Sequence, residues 1–548
     1  TNTITSAITL GSSASIGASG GSTLTLNPSS GSISVSGSAV DLTLTGAGTI
    51  NVNKTISTTG GLIVNGSGSV VLASGLNNVL SGVGAFTVNG GTFDINYTTQ
   101  SVSGLTMNGG SIIHAGVVSM PAPLVVSSDS AVTINVNISA NGLTKTGSGV
   151  LRLGGTNTFN AGININGGVV ELNSSGALGS TSRDISFGGG TLRYSSSNQT
   201  DYSSWFVKSS GQQYSVDLYN QYVTWATSLS ASGTSLKVED STGGSGVLSL
   251  TNSNSFTSGI SLYGGNLYLG HTSAIGSTGD ITFGSQAQGY GTLRYSAVNT
   301  NDYSSRIKGG IVSVDTYGRT VSWESALSIT GLVVKDSTAL GVLVLKPASA
   351  NTWGTINQGV EGTYIAYGAT LRTDNTYALP SSGATLTIYG NLNLNGNSHT
   401  VAGIDGYGTI TSAVSSPTLT LNTSYQYYSG GYYYYYDHSY SGPITGTISI
   451  VKAGPYTQSL SGNSSFTGTV QINGGVLSAD STNALSSGSG TISFANSAFL
   501  RYGNTVDYSP RLSQASGQIY SIDLYSRSVS WGTQLAGSIS LYVRDTYN

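Results

Sequence analysis

One long block of sequence stations recurs three times, and this recurrence limits the fold more than any other feature. The first copy runs through Asn157-Thr158-Phe159, Leu192-Arg193-Tyr194, Asp201-Tyr202-Ser203, Val216-Asp217, Val223-Thr224-Trp225 and Glu239-Asp240-Ser241. The second has Asn254-Ser255-Phe256, Leu293-Arg294-Tyr295, Asp302-Tyr303-Ser304, Val314-Asp315, Val321-Ser322-Trp323 and Lys335-Asp336-Ser337. The third has Ser464-Ser465-Phe466, Leu500-Arg501-Tyr502, Asp507-Tyr508-Ser509, Ile522-Asp523, Val529-Ser530-Trp531 and Arg544-Asp545-Thr546. Phe256 follows Phe159 by 97 positions and Trp323 follows Trp225 by 98; a fourth start, Asn351-Thr352-Trp353, comes 97 after the second. Self-similarity at a steady period marks arrays whose units pack on their neighbours.

Within the blocks, short runs such as Ile50-Asn51-Val52-Asn53, Ile163-Asn164-Ile165-Asn166 and Asn391-Leu392-Asn393-Leu394-Asn395 alternate apolar and polar residues, the period of a strand. Asn89-Gly90-Gly91, Asn108-Gly109-Gly110, Asn166-Gly167-Gly168 and Asn473-Gly474-Gly475 punctuate them with residues that accept tight turns. Helical signals are nearly missing. Short strands with regular turns fit an antiparallel sandwich or a parallel solenoid, and the repetition selects the solenoid. The expectation is an all-β parallel β-helix of imperfect repeats of about 97–100 residues, each holding several coils of roughly 20 residues. Stacked coils place identical residues above one another, so charge is disfavoured. Only 7% of the 548 residues are charged, against roughly 25% in average proteins.

The divisions expected are 1–141 for N-terminal coils, 142–253 for the first long block and 254–350 for the second. A divergent block follows at 351–463, with a Tyr-rich insertion near 425–440, and 464–548 is the third aligned block, incomplete at its end. Hydrophobic residues at 38% and a net charge of −3 predict an ordered chain. Near-neutrality argues against nucleic acid as partner. No apolar stretch approaches the roughly 20 residues of a spanning helix. With no cysteine, disulfides and thiolate chemistry are excluded. Thr1 opens directly into strand-like sequence, which suggests a processed start.

Gly142-Leu143-Thr144-Lys145-Thr146-Gly147-Ser148-Gly149-Val150-Leu151-Arg152-Leu153, then Asn157-Thr158-Phe159 and Ile165-Asn166-Gly167-Gly168, closely resembles the autotransporter-associated β-strand repeat, also called the passenger-associated transport repeat. Asn395 to Ile404, followed by Gly406-Tyr407-Gly408-Thr409-Ile410, resembles the family's recurrent tail. The resemblance implies a right-handed parallel β-helix, extracellular or on the surface of a bacterium with an outer membrane. It implies little about binding specificity, because fold alone does not set function. The family often ends in an outer-membrane barrel. Here the last block stops just after Val543-Arg544-Asp545, so the chain is expected either to be a fragment or to meet other copies at its ends.

No catalytic residue and no cofactor are expected. The four histidines, His114, His271, His399 and His438, share no station and read as exposed turn or groove residues. Three acidic stations recur: Asp201, Asp302 and Asp507; Asp217, Asp315 and Asp523; Asp240, Asp336 and Asp545. Asp before Ser or Thr ordinarily caps a turn; the alternative is calcium, which needs six to eight oxygens. Tyr194, Tyr295 and Tyr502, with Trp225, Trp323 and Trp531, are expected to pack between coils. Five consecutive tyrosines, Tyr432 to Tyr436, cannot all face one core. Together with Tyr425, Tyr427, Tyr428 and Tyr440 they read as an extended hairpin offering an aromatic contact surface.

The leading functional expectation is a non-enzymatic subunit of an extracellular filament or surface fibre, self-associating through solenoid ends and aromatic contacts. The alternative is a discrete passenger adhesin that binds glycans or matrix. A polysaccharide lyase or hydrolase is the third reading; scattered histidines and once-per-block acids argue against it.

Overall fold

The computed structural model describes residues 1–35, 39–284, 290–353, 362–380, 384–423, 437–488, 490–495 and 497–547, with the backbone alone of Gln426–Ser429 and Tyr432–Tyr435. It forms two compact units, Thr1–Asn266 with Ser273–Gly279, and Leu267–Thr272 with Asp280–Asn548.

In the first unit one ladder climbs through Val132–Ile134, Val150–Leu153, Val169–Leu172, Thr191–Arg193, Gln213–Asp217, Ser235–Glu239 and Ile260–Leu262, each strand parallel to the last. A second ladder runs through Leu124–Val126, Leu143–Lys145, Ile163–Ile165 and Ile185–Phe187, again parallel. Leu151 lies opposite Val170, Val170 opposite Leu192, and Leu192 opposite Val216, so one coil takes 19, 22 or 24 residues. The chain is a parallel β-solenoid, with the coil length its repeats require.

The core is a set of in-register columns. Leu151, Val170, Leu192, Val216, Val238 and Leu262 stand above one another and are fully buried. Burying each such side chain contributes about 1.5–3 kcal/mol. Polar residues between them point outward, which is why Asn and Thr alternate with aliphatic residues along each strand.

The Asn-Gly-Gly motifs are the corners. Their second glycines, Gly91, Gly110, Gly168 and Gly475, all have positive φ, at 68°, 72°, 58° and 60°. Space is the second requirement: a Cβ on Gly110 would lie 2.4 Å from the Gly91 carbonyl of the coil beneath. A larger residue would meet both the left-handed penalty and a backbone clash.

The second unit repeats the plan. Thr292–Arg294, Ile311–Asp315, Gly331–Lys335, Gly362–Ile365, Thr385–Ile388 and Gly403–Gly406 form one parallel ladder. It continues through His438–Tyr440, Thr457–Leu460, Val476–Ala479, Phe499–Tyr502 and Ile519–Asp523 to Ser540–Arg544. Among the described strand pairings one is antiparallel: Gln426–Ser429 with Tyr432–Tyr435, a hairpin inserted between two coils. The described helices are single 3-10 turns such as Ser203–Trp205, and none is long and apolar enough to cross a membrane.

Candidate functional site

The recurrent stations assemble one corner, built three times. Trp225 Nε1–H donates to the Tyr194 hydroxyl at 3.1 Å, Trp323 to Tyr295 at 2.9 Å, and Trp531 to Tyr502 at 3.1 Å. Each bond joins one coil to the next inside the core. Trp225, Tyr194, Trp323, Tyr295 and Tyr502 are fully buried, whereas Trp531 is partly exposed. Burial pushes the hydroxyls of Tyr194, Tyr295 and Tyr502 far above the usual phenol range, so they stay neutral donors and acceptors.

The acidic stations are engaged by the backbone. Asp201, Asp302 and Asp507 each take an N–H two residues on, from Ser203, Ser304 and Ser509, and a second from the next coil, from Ala226, Glu324 and Gly532. Asp240 and Asp336 accept from Thr242 and Thr338 two residues on and from Gly246 and Gly341 beyond; Asp545 accepts from Ser526 and Tyr547. Asp217, Asp315 and Asp523 pair with Arg193, Arg294 and Arg501 at 2.8, 2.9 and 3.1 Å. Among the described residues no group of three or more His, Asp or Glu is arranged to hold a metal.

Each arginine also lies over a tyrosine ring: Arg193 over Tyr219 at 5.1 Å, Arg294 over Tyr317 at 5.4 Å, Arg501 over Tyr525 at 4.8 Å. Those tyrosines have φ of 47°, 48° and 48°, with another left-handed residue after each. The turn closes by Gln221 N–H to Leu218, Arg319 N–H to Thr316, and Arg527 N–H to Leu524. A tyrosine in that conformation is strained, and the cation beneath its ring offsets part of the cost. The sequence reading missed these tyrosines; their constant spacing of two residues after the station aspartate was the available signal.

A part-exposed aromatic array lies elsewhere, in the divergent block. Tyr364 and Tyr389, on successive coils, have ring centroids 5.5 Å apart, and Tyr389 and Tyr407 4.8 Å apart. Tyr407 is 57% exposed, and Tyr364 and Tyr389 are partly exposed. Burial, then the neighbouring phenols Tyr389, Tyr290 and Tyr407, raises the Tyr364 pKa, placing four phenols in one neighbourhood. Lys335 Nζ sits 5.4 Å from the Tyr290 ring. Intervals of 25 and 18 residues gave no signal in the sequence; they align only once the coil register is known.

The hairpin expected near 425–440 is present in the backbone, with Tyr427 opposite Tyr434 and Tyr428 opposite Tyr433. Tyr425 and Tyr436, and the side chains of Tyr427, Tyr428 and Tyr432 to Tyr435, lie outside the described residues. Tyr440 does not belong to that surface. It is fully buried, and its hydroxyl donates to the Gly408 carbonyl at 2.6 Å, because the chain has re-entered the ladder by then. Two of the four histidines also depart from the exposed reading. His399 and His438 are each only 5% exposed, since both fall on inward positions of strands. His114 is half-exposed, bonded to Asp94 at 2.7 Å and stacked on Tyr97.

Two buried lysines complete the inventory. Lys145 Nζ donates to the carbonyls of Thr146, Gly147 and Gly167, and Lys452 Nζ to those of Ala453, Gly454 and Gly474 at 2.7, 2.9 and 3.0 Å. Each ammonium thus ties a glycine corner to the corner of the next coil. Burial pushes Lys452 down to about 7, against the pull of Asp437.

These features define a class: a parallel β-solenoid whose coils are joined by buried polar corners. The passenger-associated-transport-repeat matches residues 143–172 and 450–479, each stretch containing one of the buried lysines. The first stretch contains residues that carry the resemblance in sequence; the second contains the Ser464-Ser465-Phe466 station and the Asn473-Gly474-Gly475 turn. Over 380 residues, 64% of this chain, it is 28% identical to the BmaC autotransporter adhesin of Brucella suis biovar 1 (strain 1330). The chain spans about a tenth of that adhesin's length, 10%. No solved structure matches. The chain therefore carries passenger-type repeats and is related to a bacterial autotransporter adhesin.

Proposed function

We propose that this chain is part of a non-catalytic surface passenger, displayed outside a bacterium with an outer membrane, which adheres to glycans or matrix through tyrosines of its divergent block. The observation that carries the reading is the Tyr364, Tyr389 and Tyr407 array, part-exposed rings on successive coils. Tyrosine brings large amphipathic area with little rotamer entropy to lose, and a solenoid holds the rings on a rigid backbone. Low charge leaves stacking and hydroxyl hydrogen bonds as the available contacts. The hairpin tyrosines, Tyr432 to Tyr436, are the second contact in this reading. The test is binding to a glycan array and to immobilised collagen, comparing wild type with Tyr364→Ala, Tyr389→Ala and Tyr407→Ala combined. Binding should fall about tenfold or more, as hot-spot aromatics do, with the β-sheet spectrum unchanged. A wild type that binds neither, or a variant that binds equally well, sinks the reading.

A further inference from the structure

Successive coils of the second unit are normally joined by several ladder pairs on each face. Thr385–Ile388 pairs with Gly403–Gly406 at four positions, and His438–Tyr440 with Thr457–Leu460 at three. Between these, Gly403–Gly406 meets His438–Tyr440 at one position, Gly406 opposite Tyr440. The other two faces of this junction keep three pairs each, and on this one side chains substitute for the missing pairs. Ser439 N–H donates to Asp405 Oδ1 at 2.8 Å instead of to a backbone carbonyl. The Ile404 N–H and carbonyl are both taken by the Gln458 amide, at 3.0 and 2.8 Å, reaching past the intervening strand. The His438 ring lies against Gly403, so close that a Cβ there would come within 2.2 Å of it.

The first face of the same joint holds the other buried histidine. His399 stands opposite Leu419 in the pairing of His399–Val401 with Thr418–Asn422. Both of its ring nitrogens are buried without a hydrogen-bond partner, as is Nε2 of His438. A neutral imidazole is tolerated there; an imidazolium would bring a charge and two unmatched donors into an apolar interior. No ionisable side chain occurs in Thr418–Asn422 or in residues 378–384. The remaining ionisable groups near the joint are engaged elsewhere. Asp405 binds His438 Nδ1 at 2.9 Å, Asp437 accepts from Thr457 N–H, Lys452 is held by three carbonyls, and the Tyr440 hydroxyl donates to Gly408.

We propose that the junction of His399–Val401, Gly403–Gly406 and Thr409–Ser412 with Thr418–Asn422, His438–Tyr440 and Ile444–Gly446 is an acid-opened joint, released when His399 takes up a proton. Burial lowers the His399 pKa from 6.5 to about 4. The unfolded segment therefore binds the proton first as the medium acidifies. The stability His399 contributes is complete above pH 6.5 and is lost as pH drops from 6.5 toward 4.

The test is hydrogen exchange with mass spectrometry on the whole chain at pH 7.4 and pH 5.0, corrected for intrinsic rates. Peptides within 399–423 and 438–446 should lose protection about tenfold or more at pH 5.0, while those within 143–172 keep theirs. In His399→Leu the acid-induced loss should vanish. No local loss in wild type, or an undiminished loss in His399→Leu, overturns the proposal. If that variant does not fold, His399→Met carries the same comparison. The wild-type midpoint decides independently: a value between pH 4 and 6.5 supports the joint, and one below 4 assigns the opening to carboxylates and overturns it.

Discussion

The later halves of the second and third copies, from Thr292 and from Phe499, both belong to the second unit and differ chiefly in one neighbour. In the second copy Thr320–Trp323 is a strand, paired in parallel with Val342–Leu345, and Val321, Trp323, Leu332 and Val334 are fully buried. In the third copy Val529-Ser530-Trp531 is not a strand, Trp531 is partly exposed, and Leu541 and Val543 are 52% and 50% exposed. The recess there is lined by Ile522, Leu524, Val529, Trp531, Leu541 and Val543, the counterparts of residues that form closed columns in the second copy. The internal bonds are the same: Trp to Tyr, Arg to Asp, Asn299 to Tyr303 and Asn504 to Tyr508. A corner is thus held together by its own block, whereas the strand and the burial above it come from the coil stacked next. That is the nearest-neighbour behaviour expected of a solenoid.

The largest effects should separate the copies. Trp323→Ala, in a closed column, should destabilise its coils by about 3–5 kcal/mol, and Trp531→Ala by about 1–2 kcal/mol, because water already reaches part of that ring. Urea unfolding followed by peptide-level exchange measures both, and equal costs would break the comparison. Next come the coil-joining hydrogen bonds. Tyr295→Phe leaves the Trp323 indole N–H buried and unpaired, a loss of about 1–3 kcal/mol, whereas Tyr502→Phe should cost less than about 1 kcal/mol, since Trp531 can turn to water. Thermal melts of the two variants decide this.

The smallest effect is a pH difference between the corners and the joint. Burial alone would raise the Asp523 pKa, but hydrogen bonds from Thr546 and Arg501 outweigh it and hold the carboxyl below its usual range. Asp336 behaves alike through Thr338, Gly341 and Gly318. A depressed carboxyl contributes stability that is present above its unfolded pKa, about 3.9, and lost as pH falls through the folded value. Corner peptides should therefore stay protected at pH 5, where the joint of His399 opens. Exchange at pH 5 that loosens 311–319 as readily as 399–423 would erase the distinction.

Much of the architecture was legible in the chain itself. Strand alternation, coil length and the Asn-Gly-Gly corners are local, because side-chain direction along a strand and the demand for positive φ depend on a few adjacent residues. The repeated stations were legible too, though not their partners: Asn198, Asn299 and Asn504 bond the hydroxyls of Tyr202, Tyr303 and Tyr508 four residues on. That bond is local, and its signal was present at each copy. The contacts between coils were not readable. Tyr364, Tyr389 and Tyr407 meet, Gln458 reaches Ile404 across 54 residues, and Tyr440 turns inward only because of the register in which coils stack.

The sequence by itself determined that this chain winds into parallel coils, where the coils turn, and which strand positions alternate. Only the tertiary structure decided what those positions meet: that Lys145 and Lys452 bind carbonyls of the next corner, and that the ring nitrogens of His399 have no hydrogen-bond partner. The reason is physical. Direction along a strand is set by backbone geometry within a few residues, whereas burial and charge are set by the coil above and the coil below, about 20 residues away in sequence and about 4.8 Å away in space.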